Sequence, residues 1–317
     1  MKIVIMEPLG VTKEYLESLT EGLRARGCEL TAYETKAADD EECIKRAAQA
    51  DALVIANSPL RGRVIRACGN LKYIAVAFTG VDHVDLEACR ERKIAVSNAA
   101  GYSTNGVAEL VFGLAVSLYR SIPACDGRAR TGGTKEGLTG RELHGKTMGI
   151  VGTGAIGCRT AAIAAAFGCR LLAYSRTRRP EMEALGAKYV SLEELMEKSD
   201  IVSLHVPATD DTKGLISGEM LGRMKRTAIL INTARGPVVD NAALARALEQ
   251  GQIAGAGIDV FDMEPPIPED YPLLKAPHTI LTPHVAFATQ EAMEIRAQIT
   301  ADNLEHWLDG TQINRIL

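Results

Sequence analysis

Three short segments set an ionisable side chain just past an apolar, β-branched run: Asn232-Thr233-Ala234-Arg235-Gly236, Asp259 through Glu264-Pro265, and Leu281-Thr282-Pro283-His284. Together they offer one guanidinium, one carboxylate and one imidazole, a set suited to a 2-keto acid. Such an acid needs a fixed planar cation that binds its carboxylate bidentately and polarises its carbonyl, and Arg235 can do both. The carbonyl oxygen must gain a proton as its carbon is reduced, and histidine titrates nearest neutral pH of all side chains, which suits His284. A carboxylate at Glu264 can fix the tautomer of that imidazole and favour its charged form. Taken singly, each residue also reads as ordinary structure: a solvated arginine, a turn-capping glutamate, a satisfied core histidine. Their common position at strand ends is what singles them out. His83, His144, His278 and His306 have no comparable company, and no spacing of His, Cys and acids predicts a metal site.

Upstream, the apolar run 147–151 enters Gly152-Thr153-Gly154-Ala155-Ile156-Gly157, followed at once by a small-residue helix over 158–167. Strand, glycine turn and helix in that order form a dinucleotide-binding signature. Gly152 takes the tight turn, Gly154 admits a pyrophosphate close to the backbone, and Gly157 lets the helix pack on the sheet. The helix amides near Ala155 and Ile156 face the phosphates. At the end of the next run, where an NAD site carries an acid for the ribose hydroxyls, this chain has Ser175-Arg176-Thr177-Arg178-Arg179. A hydroxyl with adjacent guanidiniums favours a 2′-phosphate, so NADP(H) is expected over NAD(H). The same arginines also read as a solvated loop face.

These residues need a scaffold that gathers strand ends, and the chain alternates accordingly. Short β-branched runs at 2–6, 29–33, 52–56, 73–78 and 94–97 are separated by helical stretches, which predicts parallel strands with crossover helices. A longer helix over 103–119, striped by Val107, Leu110, Val111, Leu114 and Leu118, bridges to a second series. Residues 128–141 read as a loop before that series, whose runs lie at 147–151, 170–174, 201–206, 228–232, 255–260 and 279–281. A last helix, 289–308, carries an apolar stripe of Met293, Ala297, Ala301, Leu304 and Leu308 that needs a surface to cover. The fold class is α/β, with two doubly wound parallel sheets.

At 317 residues, two domains are the natural expectation. A formal charge of -4 gives no basic surplus for nucleic acid or an anionic membrane. Seven cysteines without a CxxC pair, and no signal or spanning segment, point to a reducing cytoplasm.

With these motifs assembled, the chain resembles the D-isomer-specific 2-hydroxyacid dehydrogenase family over nearly its whole length, nearest its glyoxylate/hydroxypyruvate reductase-like branch. The likeness rests on Thr79-Gly80-Val81-Asp82, Gly101-Tyr102-Ser103-Thr104-Asn105 through Ala108-Glu109, the glycine turn, Leu204-His205-Val206-Pro207 and the three segments above. It implies that Arg235, Glu264 and His284 are catalytic, and that Thr79, Gly80 and Val81 meet the substrate carboxylate alongside Arg235 and His284. Cofactor contacts are implied for Thr104, Ala155, Ile156, His205, Val206, Pro207, Thr212, Thr233, Ala234, Arg235, Asp259 and His284, with a buried structural acid as the other reading of Asp259. The resemblance further implies a Rossmann cofactor domain (101–285) inserted in a flavodoxin-like substrate domain (1–100 and 286–317), and a homodimer formed near the 103–119 helix.

Two departures refine this expectation. The family's acid is missing at Ser175, and the arginines of its phosphoglycerate branch are replaced by residues such as Ala56, Asn57, Val76 and Ala77. The segment Asn57-Ser58-Pro59-Leu60 is more similar to the branch acting on unphosphorylated acids such as glyoxylate or hydroxypyruvate, although Arg61 and Arg63 keep a phosphate open. Other readings are a corepressor-like dinucleotide sensor, which shares this fold, and a formate- or phosphite-type dehydrogenase.

Overall fold

In the computed structural model, which describes residues 1–264 and 266–317, parallel strands form two sheets, one in each of two compact units. The first unit joins Met1–Ser103 to Ala288–Leu317, and the second is Thr104–Phe287. The chain therefore changes units at 103/104 and 287/288, slightly later at both crossings than the family resemblance implies.

The first unit holds β1 (Lys2–Ile5), β2 (Glu29–Ala32), β3 (Ala52–Ile55), β4 (Tyr73–Val76) and β5 (Ala95–Asn98), in the order β2-β1-β3-β4-β5. That is a flavodoxin-like order, with its switch point between β1 and β3. Strands β3 and β4 are buried along their whole length, so they read as unbroken apolar runs without alternation. The helix Gln290–Leu308 covers this sheet, burying Met293, Ala297, Ala301 and Leu304, while Trp307 stacks on Tyr73 at 4.6 Å. The orphan stripe read from the sequence thus finds its surface here. The chain's final residues shield the β5 edge: Val96 donates to the Leu317 carbonyl and Ile316 to the Val96 carbonyl.

The second unit holds β6 (Thr147–Val151), β7 (Arg170–Tyr174), β8 (Lys188–Tyr189), β9 (Ile201–Leu204), β10 (Ile229–Asn232), β11 (Gly255–Ile258) and β12 (Thr279–Leu281). Their order, β12-β11-β10-β9-β6-β7-β8, is that of a doubly wound Rossmann sheet with its switch point between β6 and β9. The helix Thr104–Arg120 lies on one face, and Gly257 of β11 makes room for it, since a Cβ there would stand 2.9 Å from the Leu114 Cβ. Two features depart from the sequence reading. Residues Ile122–Arg130 form a helix where the predicted loop begins, started by Ser121 and Pro123. Strand β8 was not predicted, being only two residues long and too short to carry a periodicity.

The register positions the chemistry. Val151 pairs with Tyr174 and Leu204, Leu204 with Asn232, Asn232 with Ile258, and Ile258 with Leu281. Six strands therefore end level, and the residues that follow them, Ser175, Gly152, His205, Thr233, Asp259 and Thr282, form one row along the carboxyl edge.

Candidate active site

The glycine turn occupies the switch point. Gly152 has φ +97°, and a Cβ there would approach the His205 carbonyl oxygen to 2.6 Å. A Cβ on Gly157 would overlap the Gly152 carbonyl oxygen, so this glycine serves turn–helix packing. Gly154 differs, because a Cβ on it would meet no protein atom within 4 Å. It is the N-cap of Ala155–Ala166, no side chain caps that helix, and both Gly154 and Ala155 are exposed. Open space before uncapped helix amides suits a phosphate.

Along the same row, Thr233 follows β10 with its hydroxyl oxygen buried and without a hydrogen-bond partner among the described residues. An orphaned buried hydroxyl costs stability unless something meets it. With the open side of Gly154, it makes the edge fit a dinucleotide. The imidazole of His205 meets Ser203 Oγ through Nε2 at 2.9 Å, and burial pushes it down to about 3, so it is neutral at physiological pH. Thr212 donates to the Pro207 carbonyl at 2.5 Å and accepts from the Thr209 amide at 2.8 Å, closing the turn that carries Val206 and Pro207.

Arg235 and the Glu264–His284 pair sit on neighbouring loops that are tied together. Asn232 accepts from the Ala234 amide at 3.0 Å and donates to the Arg235 carbonyl at 2.9 Å, which shapes the turn under Arg235. Gly236 lies so close to Phe261 that a Cβ would overlap its carbonyl. Asn241 then donates to the Gly236 carbonyl (3.2 Å) and to Asp262 Oδ1 (2.8 Å), and Tyr271 donates to Asp262 Oδ2 (2.8 Å). These contacts fix the loop after β10 to the loop after β11. Asn241, Asp262 and Tyr271 were not picked out from sequence; they act on backbone and on one another, and no motif spacing marks them.

His284 Nδ1 lies 2.8 Å and 3.0 Å from the two Glu264 carboxylate oxygens, and its ring meets Phe287 edge-on at 5.3 Å. The imidazole is 12% exposed and the carboxylate 61%. His284 adopts φ +56°, a left-handed conformation costly for a residue other than glycine. What enforces it is Asp259. This fully buried carboxylate accepts from Thr282 Oγ1 (2.6 Å) and from the Val285 (2.9 Å) and Ala286 (3.0 Å) amides, while its carbonyl accepts from the His284 amide (2.8 Å). The Asp259 carboxylate is thereby committed to the loop that presents His284.

Beyond β7, Arg176 and Arg178 are exposed, with carboxylates of Asp211 and Glu183 each 3.8 Å away. Thr104 starts its helix half-buried. In the other unit, Thr79, Gly80 and Val81 follow β4 at the carboxyl edge, with the Thr79 carbonyl held by the Asn98 amide at 2.7 Å. Another residue missed from sequence is Glu7, buried beyond β1. Its carboxylate accepts from the amides of Ala56 (2.9 Å) and Ser58 (3.0 Å) and from Ser58 Oγ (2.6 Å), which orders the Asn57–Leu60 stretch. Arg61 and Arg63 turn to Asp40 and Glu41. Among the described residues no cluster of His, Cys, Asp and Glu could hold a metal ion, and no single helix is long and apolar enough to cross a membrane.

Residues 112–286 match the model of the D-isomer specific 2-hydroxyacid dehydrogenase NAD binding domain. The glyoxylate reductase of Korarchaeum cryptofilum is 43% identical over 268 residues, covering 82% of this chain and 80% of that protein. The hydroxypyruvate reductase of Blautia hydrogenotrophica is 33% identical over 321 residues and covers 99% of both chains. Among solved structures, an acyclic imino acid reductase in complex with NADPH and D-Arg superposes with a TM-score of 0.91 at 30% identity, over 100% of both chains.

Proposed function

The chain belongs to the D-isomer-specific 2-hydroxyacid dehydrogenase family, and on that premise we propose that it reduces a small unphosphorylated 2-keto acid of the hydroxypyruvate or glyoxylate kind through Arg235, Glu264 and His284. The observation that carries this reading is the 2.8 Å contact from His284 Nδ1 to Glu264, made by a histidine held in a strained backbone conformation. Strain of that kind persists only where surrounding structure enforces it.

The bound nicotinamide dinucleotide supplies the hydride. Arg235 binds the substrate carboxylate and draws charge toward the carbonyl oxygen. With Nδ1–H engaged by Glu264, His284 Nε2 is the nitrogen that changes protonation, and it delivers the proton to that oxygen. Gly152, Gly154, Ala155, Ile156, Gly157, Val206, Pro207, Thr212, Thr233 and Ala234 form the bed of the dinucleotide, and Thr104 borders it.

NADP(H) is the preferred cofactor, supported by Ser175 in place of an acid, by the exposed Arg176 and Arg178, and by the NADPH held by the imino acid reductase. A phosphorylated substrate is disfavoured because Ala56, Asn57, Val76 and Ala77 stand where the phosphoglycerate branch carries arginines. The enzyme works as a cytoplasmic homodimer in this reading. Seven free thiols suit a reducing compartment, and the apolar surface of Ile122 and Phe167, 46% and 44% exposed, suits a subunit contact.

The test is a panel of hydroxypyruvate, glyoxylate, pyruvate and 3-phosphohydroxypyruvate, assayed with NADPH and NADH. Saturable oxidation of NADPH by one of the first two, at higher kcat/KM than by the phosphorylated acid, is the expected result. A dinucleotide sensor would bind NADPH and turn over none of them.

A further inference from the structure

The loop after β7 is anchored from beneath, by two hydroxyls. Thr153, the residue between the first two glycines of the turn, is 2% exposed. Its Oγ1 donates to the Thr177 carbonyl at 3.2 Å and accepts from the Tyr189 hydroxyl at 3.1 Å. The Tyr189 oxygen in turn accepts from the Arg179 amide at 2.9 Å. Each hydroxyl has one proton, so the direction is forced: Arg179 N–H to Tyr189, Tyr189 O–H to Thr153, Thr153 O–H to the Thr177 carbonyl. The relay leaves the loop at residue 179, passes through the buried glycine turn and returns to the loop at residue 177. Arg178, between those two points, lies over the Tyr189 ring at 5.4 Å.

We propose that Thr153 and Tyr189 are specificity-determining positioning residues, a hydroxyl relay that holds the Ser175–Arg179 loop in the shape that receives the 2′-phosphate of NADP(H). The proposal rests on the NADP(H) reading above. Exposed arginines that capture an anion lose rotamer freedom as they do so, and a backbone already fixed on both sides of Arg178 lowers that cost. The relay also gives β8 a purpose. This two-residue strand pairs Tyr189 with Ala173, which brings the phenol beneath the loop, directly beside the turn that seats the pyrophosphate. One buried threonine thereby links the part of the site common to both dinucleotides with the part that tells them apart.

The experiment measures dissociation constants for NADPH and NADH, with 2′,5′-ADP as competitor, on the full chain and on Tyr189→Phe and Thr153→Val. Tyr189→Phe keeps the ring under Arg178 and removes only the hydroxyl. Loss of a relay member weakens NADPH and 2′,5′-ADP by about tenfold and leaves NADH within about twofold, the scale of one or two unmade hydrogen bonds. Because the two hydroxyls work as one unit, the double variant is no weaker than either single one. Equal weakening of NADPH and NADH would mean that the hydroxyls merely stabilise the turn, and it overturns the proposal. A preference for NADPH that is undiminished in Tyr189→Phe overturns the proposal while leaving the cofactor reading in place. Wild-type protein that binds NADH as tightly as NADPH overturns the underlying cofactor reading, and the proposal with it.

Discussion

At the scale of the residue, the chemistry divides among side chains whose surroundings differ. His284 is held by Glu264 through Nδ1, and in the proposed mechanism its proton transfer would account for a factor of about 10² to 10⁴ in rate. His284→Gln therefore lowers kcat by that factor and leaves the NADPH dissociation constant within about twofold, which stopped-flow and fluorescence titration will check. His205 has a different fate. Burial pushes its imidazole down to about 3 from 6.5, so the folded protein binds fewer protons than the unfolded chain between those values. Its contribution to stability is complete above pH 6.5, declines as pH falls, and is gone near 3. Denaturant melts at about pH 7.5 and about pH 5 will show a larger loss for wild type than for His205→Asn; equal losses would refute the assignment. Arg235, Glu264 and His284 stood out in the sequence because each follows a strand-like run, and the contact of His284 with Glu264 is what the structure adds. Asp259 was readable as a buried acid but its partners were not, since nothing in a linear pattern says that a carboxylate turns onto the loop 23 to 27 residues ahead of it.

The elements make these residues into a site through register. Leu204, Asn232, Ile258 and Leu281 pair in line, so a fixed offset past each strand end lands on the same edge. The glycines of the turn separate packing from binding. Gly157→Ala inserts a Cβ into the Gly152 carbonyl and should lower stability by ~1–3 kcal/mol, whereas Gly154→Ala meets no protein atom and should keep Tm while losing dinucleotide affinity. Calorimetry and titration of both variants separate the two roles, and a Gly154→Ala protein with unchanged affinity would remove that turn from the cofactor bed. The loop presenting His284 depends on Asp259 in the same physical way. Asp259→Asn offers an NH₂ where the buried carboxylate receives only donors, so kcat falls at least tenfold while the NADPH dissociation constant changes little; a normal kcat would sever Asp259 from His284. The long elements were readable from period and caps. Strand β8 was not, because two residues carry no periodicity, and with it went the place of Tyr189, whose value lies in a contact to Thr153 across 36 residues.

For the whole molecule, the two doubly wound sheets follow from alternation of strands and helices in the sequence, whereas the double crossing of the chain was implied only by the family resemblance and lies at 103/104 and 287/288 in the structure. The apolar stripe of the last helix, unexplained while it stood alone, marked a helix that returns to the first sheet, where Trp307 stacks on Tyr73. Fold alone does not separate an enzyme from a dinucleotide sensor built on the same frame. The difference is whether a keto acid held by Arg235 receives a proton from His284. Single-turnover oxidation of prebound NADPH on mixing with hydroxypyruvate or glyoxylate tests this most directly. The account predicts a saturable burst in the wild type that His284→Gln slows by about 10²-fold or more at unchanged NADPH occupancy. Full-rate turnover in His284→Gln, or NADPH that binds the wild type and is oxidised by neither acid, would contradict it.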